Sequence, residues 1–172
     1  MVWYVRNAVA VHAASRAPLN KTLDYMGTAA QIRNHRVRAG KSSSEVAAHL
    51  GLNQAWYEDL EHHDDELAST LTLFQAIELA SVLGVRLRDL WTEKAPPGES
   101  IALVDVPARI QEHVARNGIS LEQFEEQVGW ELRNFLESPI KVAAESPIMF
   151  LQTIAEPLGI NWLSFVPDEH AV

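Results

Sequence analysis

The sequence predicts an all-α protein built from two tandem sets of helices. Apolar residues recur at three- and four-residue spacing along most of the chain, and no segment requires a strand. Glycines end several of these periodic segments, as they commonly end helices. Two pairs of segments also match each other, 39–51 with 117–129 and Gly84–Trp91 with Gly159–Val166. Such internal similarity indicates a duplicated unit.

The first predicted helix is Thr28–Arg38, with Ile32 and Val37 on its inward face. Its outward face carries three arginines, Arg33, Arg36 and Arg38. Gly40 ends this helix. The second begins at a capping box, in which Ser42 and Glu45 each satisfy an orphan backbone N–H.

The second helix is expected to stop at Gly51, where the chain turns, and Asn53 is a good N-cap for the third. Trp56 and Tyr57 admit two interpretations, stacking on bases or packing in the core, and at least one is expected in the core. The fourth and fifth helices are predicted from their apolar residues, Leu73, Phe74, Ile77 and Ala80, then Leu87, Leu90 and Trp91. The His62–Asp65 run is interpreted as an exposed loop rather than a metal site, since adjacent residues seldom converge on one ion.

The second half repeats this five-helix order, and Pro157 is expected to shorten or kink the fourth helix there. Trp91, Trp130 and Trp162 are assigned either to the core or to an interface between repeats or subunits. The predicted organisation is an N-terminal extension (1–25), a first domain (26–94), a linker with two prolines (95–100) and a second domain (101–172).

Charge and composition exclude several classes of protein. The net charge is −9, and residues 96–172 alone carry four basic and twelve acidic side chains, which is a poor surface for DNA. The absence of cysteine excludes disulfides, thiolate metal sites and a cysteine nucleophile. No apolar run approaches the ~20 residues of a membrane span, and the opening segment lacks a basic start, so a cytoplasmic protein is expected. No enzyme signature is present, and neither a cofactor nor a metal is predicted.

Residues 32–91 resemble the Cro and lambda-repressor type of helix-turn-helix family, also called the xenobiotic-response-element family. The residues that carry the resemblance are Ala39-Gly40, Ser42, Glu45, Ala47, Leu50-Gly51, Gln54, Leu60-Glu61, Leu83-Gly84-Val85 and Leu90. The resemblance implies two tandem five-helix lambda-repressor-like domains, the second of them degenerate.

The resemblance also implies a recognition helix, Asn53–Glu61, that lies in the major groove of DNA. Gln54 and Ala55 would contact bases, Gln54 through adenine N6 and N7 and Ala55 through a thymine methyl, with Glu58 one turn on. Phosphate contacts are expected from Ser43, Arg33, Arg36, Arg38 and Lys41.

The second half departs from this pattern. Two residues are missing at its turn, and Trp130 directly follows Gly129, which favours a buried seam over a base-contacting helix.

The sequence is therefore consistent with two functions. The first is a sequence-specific transcriptional regulator that binds an operator-like duplex as a homodimer. The second is a protein-interaction adaptor or inhibitor that keeps the repressor fold without binding DNA, with a protein partner on its acidic second half. Acidic residues beside the recognition helix favour the second, and no membrane role is expected.

Overall fold

A computed structural model describes residues 27–91 and 98–166 of the chain. Within these ranges the chain forms eleven α-helices, two short 3-10 helices and no β-strand, which confirms the all-α prediction. The predicted N-terminal extension, 1–25, and the first part of the predicted linker, 95–97, lie outside the described residues.

The first half contains six helices rather than five. They are α1 (Thr28–Arg38), α2 (Ser43–His49), α3 (Gln54–Leu60), α4 (Asp64–Thr70), α5 (Leu73–Leu83) and α6 (Leu87–Leu90). The additional helix is α4, in a stretch expected to be a connection. Its acidic residues occupy the first turn, where the helix dipole favours negative charge, so Asp64 and Asp65 are helical and not part of a loop.

The second half follows the same order. A 3-10 turn, Leu103–Asp105, precedes α7 (Val106–Asn117), α8 (Leu121–Val128), α9 (Arg133–Glu137), α10 (Pro139–Glu145) and α11 (Ile148–Leu158), and a 3-10 helix, Trp162–Phe165, ends the described chain. Pro157 does not shorten α11, which has eleven residues like α5. It lies in the last turn, where only one intrahelical bond is lost.

Local signals set most helix ends. The predicted capping box at Ser42 and Glu45 is present, and similar boxes begin α5 at Thr72 and α8 at Ser120. The turn between α2 and α3 passes through Gly51 at a φ of +69°, a left-handed conformation that glycine adopts without the steric cost of a Cβ.

Buried apolar residues of both halves form one continuous core. From α1 this core receives Ala29 and Ile32, but Val37 is 62% exposed, so its predicted inward orientation was wrong. Arg38, Ala39 and Gly40, which follow Val37 at the C-terminal end of α1, are exposed as well.

The two halves pack against each other through α4 and α5 on one side and α10 and α11 on the other. Trp91 and Trp162 extend this contact, with ring centroids 5.4 Å apart and planes at 85°. Gly98 and Glu99, expected in the linker, lie against the second half, where the Glu99 N–H donates to the Gly159 carbonyl.

The longest helix in the described ranges has twelve residues, and none combines the length and apolarity that crossing a bilayer requires.

Candidate nucleic-acid interface

The α2–turn–α3 unit presents one helix on a fixed support. Val46 and Ala47 of α2 are buried, as are Tyr57 and Leu60 of α3, so the facing sides of the two helices belong to the core. Asn53 caps α3 as predicted, because its side-chain oxygen accepts the Trp56 N–H at 2.8 Å. The orientation of α3 is therefore set by packing on one side and by its cap at the start.

The outer side of α3 is open to solvent. Asn53, Gln54, Ala55 and Asp59 are exposed, and Trp56 is 55% exposed although it is large and apolar. Tyr57 is fully buried, so the prediction that at least one of this aromatic pair lies in the core is confirmed. Residues 98–166, the described part of the second half, leave this surface accessible.

Three predicted contact residues bind one another. The Glu58 Oε1 accepts the Ser43 hydroxyl at 2.7 Å and the Gln54 amide N–H at 2.7 Å. The hydrogen bonds from Gln54 and then Ser43 hold the pKa of the Glu58 carboxyl below its ordinary value. In this arrangement both donors are directed at the carboxylate instead of outward, and the surface presents acceptor oxygens.

Arg36 does not point outward as predicted. Its Nε donates to Glu61 Oε1 at 2.5 Å and its Nη2 to Glu61 Oε2 at 2.7 Å, while Nη1 donates to the Lys41 carbonyl at 3.0 Å. The Glu61 side chain is 2% exposed, so this is an interior ion pair. The Arg36 guanidinium is consequently unavailable to a phosphate.

The Tyr57 hydroxyl lies in the interior beside this pair, without a hydrogen bond of normal geometry in the described part of the chain. Burial, followed by the Glu61 carboxylate, raises the pKa of Tyr57, so the phenol stays neutral. The interior group is thus one cation, one anion and one neutral hydroxyl.

The other predicted cations are accessible. Arg33 and Arg38 are exposed and Lys41 is half-buried. The Arg33 Nη1 lies 3.4 Å from His62 Nε2, at the far end of α3. Apart from Arg36, the 28–60 segment carries these three cations and three acids, Glu45, Glu58 and Asp59, so its surface has no net positive charge.

The two histidines after α3 contact backbone carbonyls of α3. The Nδ1 of His62 lies 2.6 Å from the Glu58 carbonyl, and the Nδ1 of His63 lies 3.1 Å from the Asp59 carbonyl. Among residues 27–91 and 98–166, no group of three or more potential ligands is arranged to hold a metal ion.

Two of these arrangements carry a signal in the sequence. Gln54 and Glu58 are four residues apart on one helix, a spacing at which side chains meet. Glu61 continues the apolar stripe of Tyr57 and Leu60, which indicates a carboxylate on the buried face that needs a cation. No local pattern in the sequence identifies that cation as Arg36, which lies 25 residues before Glu61 in the chain.

The second half differs at the corresponding place. Its α9 has five residues where α3 has seven. Trp130, expected in a buried seam, is half-buried and packs edge-on against Phe150, with ring centroids 5.3 Å apart. Arg133 and Asn134 are exposed on α9, but four exposed glutamates accompany them on and around α8 and α9, Glu122, Glu126, Glu131 and Glu137.

Comparison of the chain with protein-family models, curated proteins and solved structures finds no match.

Proposed function

We propose that the protein is a sequence-specific DNA-binding regulator of the Cro and lambda-repressor-like class, in which α3 enters the major groove. The proposal includes the tandem arrangement, with α7–α11 as a second, degenerate domain of the same kind. The protein is proposed to be cytoplasmic and to act without catalysis, cofactor or metal.

One observation carries this proposal. The first turn of α3 is exposed at Gln54 and Ala55, while the opposite side of the helix is buried at Tyr57 and Leu60. A short helix anchored in this way, behind a tight glycine turn and a preceding helix, is the geometry with which helix-turn-helix proteins contact base edges.

The hydrogen bonds of Glu58 modify the expected base preference. Gln54 needs one amide N–H for a bidentate contact with adenine. Its Nε2 carries two N–H groups and donates to Glu58 Oε1 at 2.7 Å and to the Ser43 hydroxyl oxygen at 3.4 Å. The pair therefore offers acceptor oxygens, which suit the amino groups of cytosine N4 or adenine N6. Phosphate contacts then depend on Arg33, Arg38 and Lys41, without Arg36.

Selection from a random duplex library at low salt, followed by titration against salt, tests the proposal. The wild type should enrich a motif and lose affinity steeply as salt rises, because binding releases condensed counterions. Gln54→Ala should cost about 1–3 kcal/mol of specific binding, and Arg33→Ala or Arg38→Ala should each lower the salt slope by about one. Gln127→Ala, an exposed glutamine on α8, is the matched control and should change neither.

A second candidate is a protein-interaction adaptor, and the charge of the α3 surface favours it. Glu58 is ionised and takes up the nearby donors, and Trp56 stands exposed one turn before Asp59. An exposed aromatic beside carboxylates suits a cationic protein segment. If the full chain enriches no duplex and fails to bind heparin at low salt, the adaptor replaces the regulator.

A further inference from the structure

The two halves meet through equivalent positions of their sequences. Thr72 and Pro147 form an isolated antiparallel bridge and are 75 positions apart, the same offset that relates Gly84 to Gly159. The Leu73 N–H donates to the Ser146 carbonyl at 3.2 Å, and the Ile148 N–H donates to the Leu71 carbonyl at 3.0 Å. The two donors, Leu73 and Ile148, are 75 positions apart, and so are the two acceptors, Leu71 and Ser146. The two hydrogen bonds therefore join equivalent positions of the two halves.

The helices on either side of the bridge obey the same relation. In the first half α4 and α5 flank Thr72, and α10 and α11 flank Pro147 at the same distances along the chain. Across the contact α4 packs on α11, and α5 packs on α10. Each pair is thus the image of the other, which is the pattern of an isologous interface between two copies of a subunit.

This contact is interior in character. Leu71, Leu73, Ile148 and Leu151 are all buried beside or just beyond the bridge. The Trp91–Trp162 pair adds a second buried junction at some distance along the chain. The halves therefore share a core, as obligate dimers do, instead of touching through a polar surface.

We propose that the protein is a single-chain pseudo-dimer: α10 and α11 of its second half cover α4 and α5 of the first half in the way that a second copy would, so the chain is a monomer. This part is independent of DNA binding. A second part rests on the proposed function: with α3 as its one competent recognition helix, the monomer binds a single, asymmetric half-site. The short α9 and its surrounding glutamates contribute no second half-site.

An engineered disulfide tests the intramolecular contact. Because the chain contains no cysteine, only the introduced thiols can react. Thr72 and Pro147 face each other as a non-hydrogen-bonded antiparallel pair. The Cα atoms of such pairs lie about 4.5 Å apart, which is within the range that a disulfide can bridge. The double variant T72C/P147C should oxidise to a 19.2 kDa species without free thiols. T72C alone and P147C alone should remain reduced monomers.

Covalent dimers of the double variant would overturn the proposal, because they would mean that two copies exchange their second halves. Covalent dimers of T72C alone would overturn it as well, because they would put two copies of the first half face to face. The wild-type mass, measured by light scattering over a hundredfold concentration range, should stay at the monomer value. A rise to twice that value contradicts a pseudo-dimer.

Duplex selection with the full chain separates the two parts. A non-palindromic motif bound by one chain supports the half-site, and a palindrome bound by two chains overturns it. If the chain is monomeric, forms the intramolecular disulfide and enriches no motif, the pseudo-dimer stands and the DNA-binding function fails with its half-site.

Discussion

Arg36 of α1 and Glu61, the residue that follows α3, form a two-bond ion pair in the interior, with N···O distances of 2.5 and 2.7 Å. The pair connects the first helix to the end of the proposed recognition helix. Because the same guanidinium also donates to the Lys41 carbonyl, it fixes the α1–α2 turn as well. Arg36 is consequently a structural residue, and the direction of α3 depends on it.

Loss of Arg36 should destabilise the fold strongly. In Arg36→Met the Glu61 carboxylate is left buried without its cation, and removing one member of such a pair costs about 3–5 kcal/mol. Urea unfolding followed by tryptophan fluorescence measures the change. The double variant Arg36→Met/Glu61→Met should recover most of the loss, since no charge is then stranded.

Arg38→Met is the matched control for that experiment. Arg38 lies on the same helix with an exposed side chain, and its substitution should change the unfolding free energy by less than about 0.5 kcal/mol. Equal effects of Arg36→Met and Arg38→Met would mean that the ion pair contributes nothing in solution.

Asp64 should stabilise α1 from a distance. Gly27, the N-cap of α1, provides no side-chain cap, and Asp64 Oδ1 accepts the Ala29 N–H at 2.6 Å instead. Asp64→Ala should therefore cost about 1 kcal/mol, the usual effect of losing a cap. Asp65→Ala is the control, since it removes a charge from the same first turn of α4 without touching α1.

Gly27→Ala tests the same bond from its other side. A Cβ at this position would lie 1.7 Å from Asp64 Oδ2, so the carboxylate must move away. The effects of Gly27→Ala and Asp64→Ala should be non-additive because both break one contact. Additive losses in chemical denaturation would show that Asp64 acts elsewhere.

Local signals predicted much of the fold and little of the site. The capping box at Ser42, the N-cap at Asn53 and the glycine turn at Gly51 involve neighbours in sequence, and each was found as expected. The α4 helix was missed because its seven residues bury few apolar side chains and its acids suggested a loop. Short helices with weak apolar periodicity are difficult to distinguish from the loops that connect helices.

The errors at the site have a different origin. Whether Arg36 points outward, or the Gln54 amide is available to a base, depends on Glu61 and Glu58, and the first of these contacts joins residues 25 apart. Helical spacing gives the face of a side chain but not its distant partner. Val37 was placed inward by the same spacing, yet it is exposed in the part of the chain that the structure describes.

Trp91 and Trp162 should be energetically coupled. Their edge-to-face contact joins the two halves, and such pairs contribute about 0.5–1.5 kcal/mol beyond the area that they bury. A double-mutant cycle with Trp91→Leu and Trp162→Leu, measured by urea unfolding, should give a coupling energy in that range. A coupling near zero would indicate that the two rings are merely adjacent.

Trp91→Phe is the mild control in that cycle. The Trp91 Nε1 is buried without an acceptor in the described part of the chain, so phenylalanine removes an unpaired donor while it keeps a ring against Trp162. The gain from removing this donor should offset part of the lost packing, and Trp91→Phe should destabilise less than Trp91→Leu.

Glu58 should make both stability and DNA binding depend on its charge. Hydrogen bonds from Gln54 and Ser43 lower the pKa of Glu58 in the folded state, so its ionised form stabilises the fold above the ordinary glutamate value of 4.5. This contribution is lost as the pH falls through the lower, folded pKa. In Glu58→Gln the unfolding free energy should therefore decline less steeply below about pH 4.5 than in the wild type, as measured by urea titrations between pH 3 and 7. Glu126→Gln on α8, where no such bonds are present, should follow the wild-type curve.

At pH 7 the Glu58→Gln variant should also bind duplex DNA more tightly at a given salt concentration, because one negative charge leaves the α3 surface. Unchanged duplex affinity would remove Glu58 from the interface, and an unchanged pH profile would contradict its hydrogen bonds.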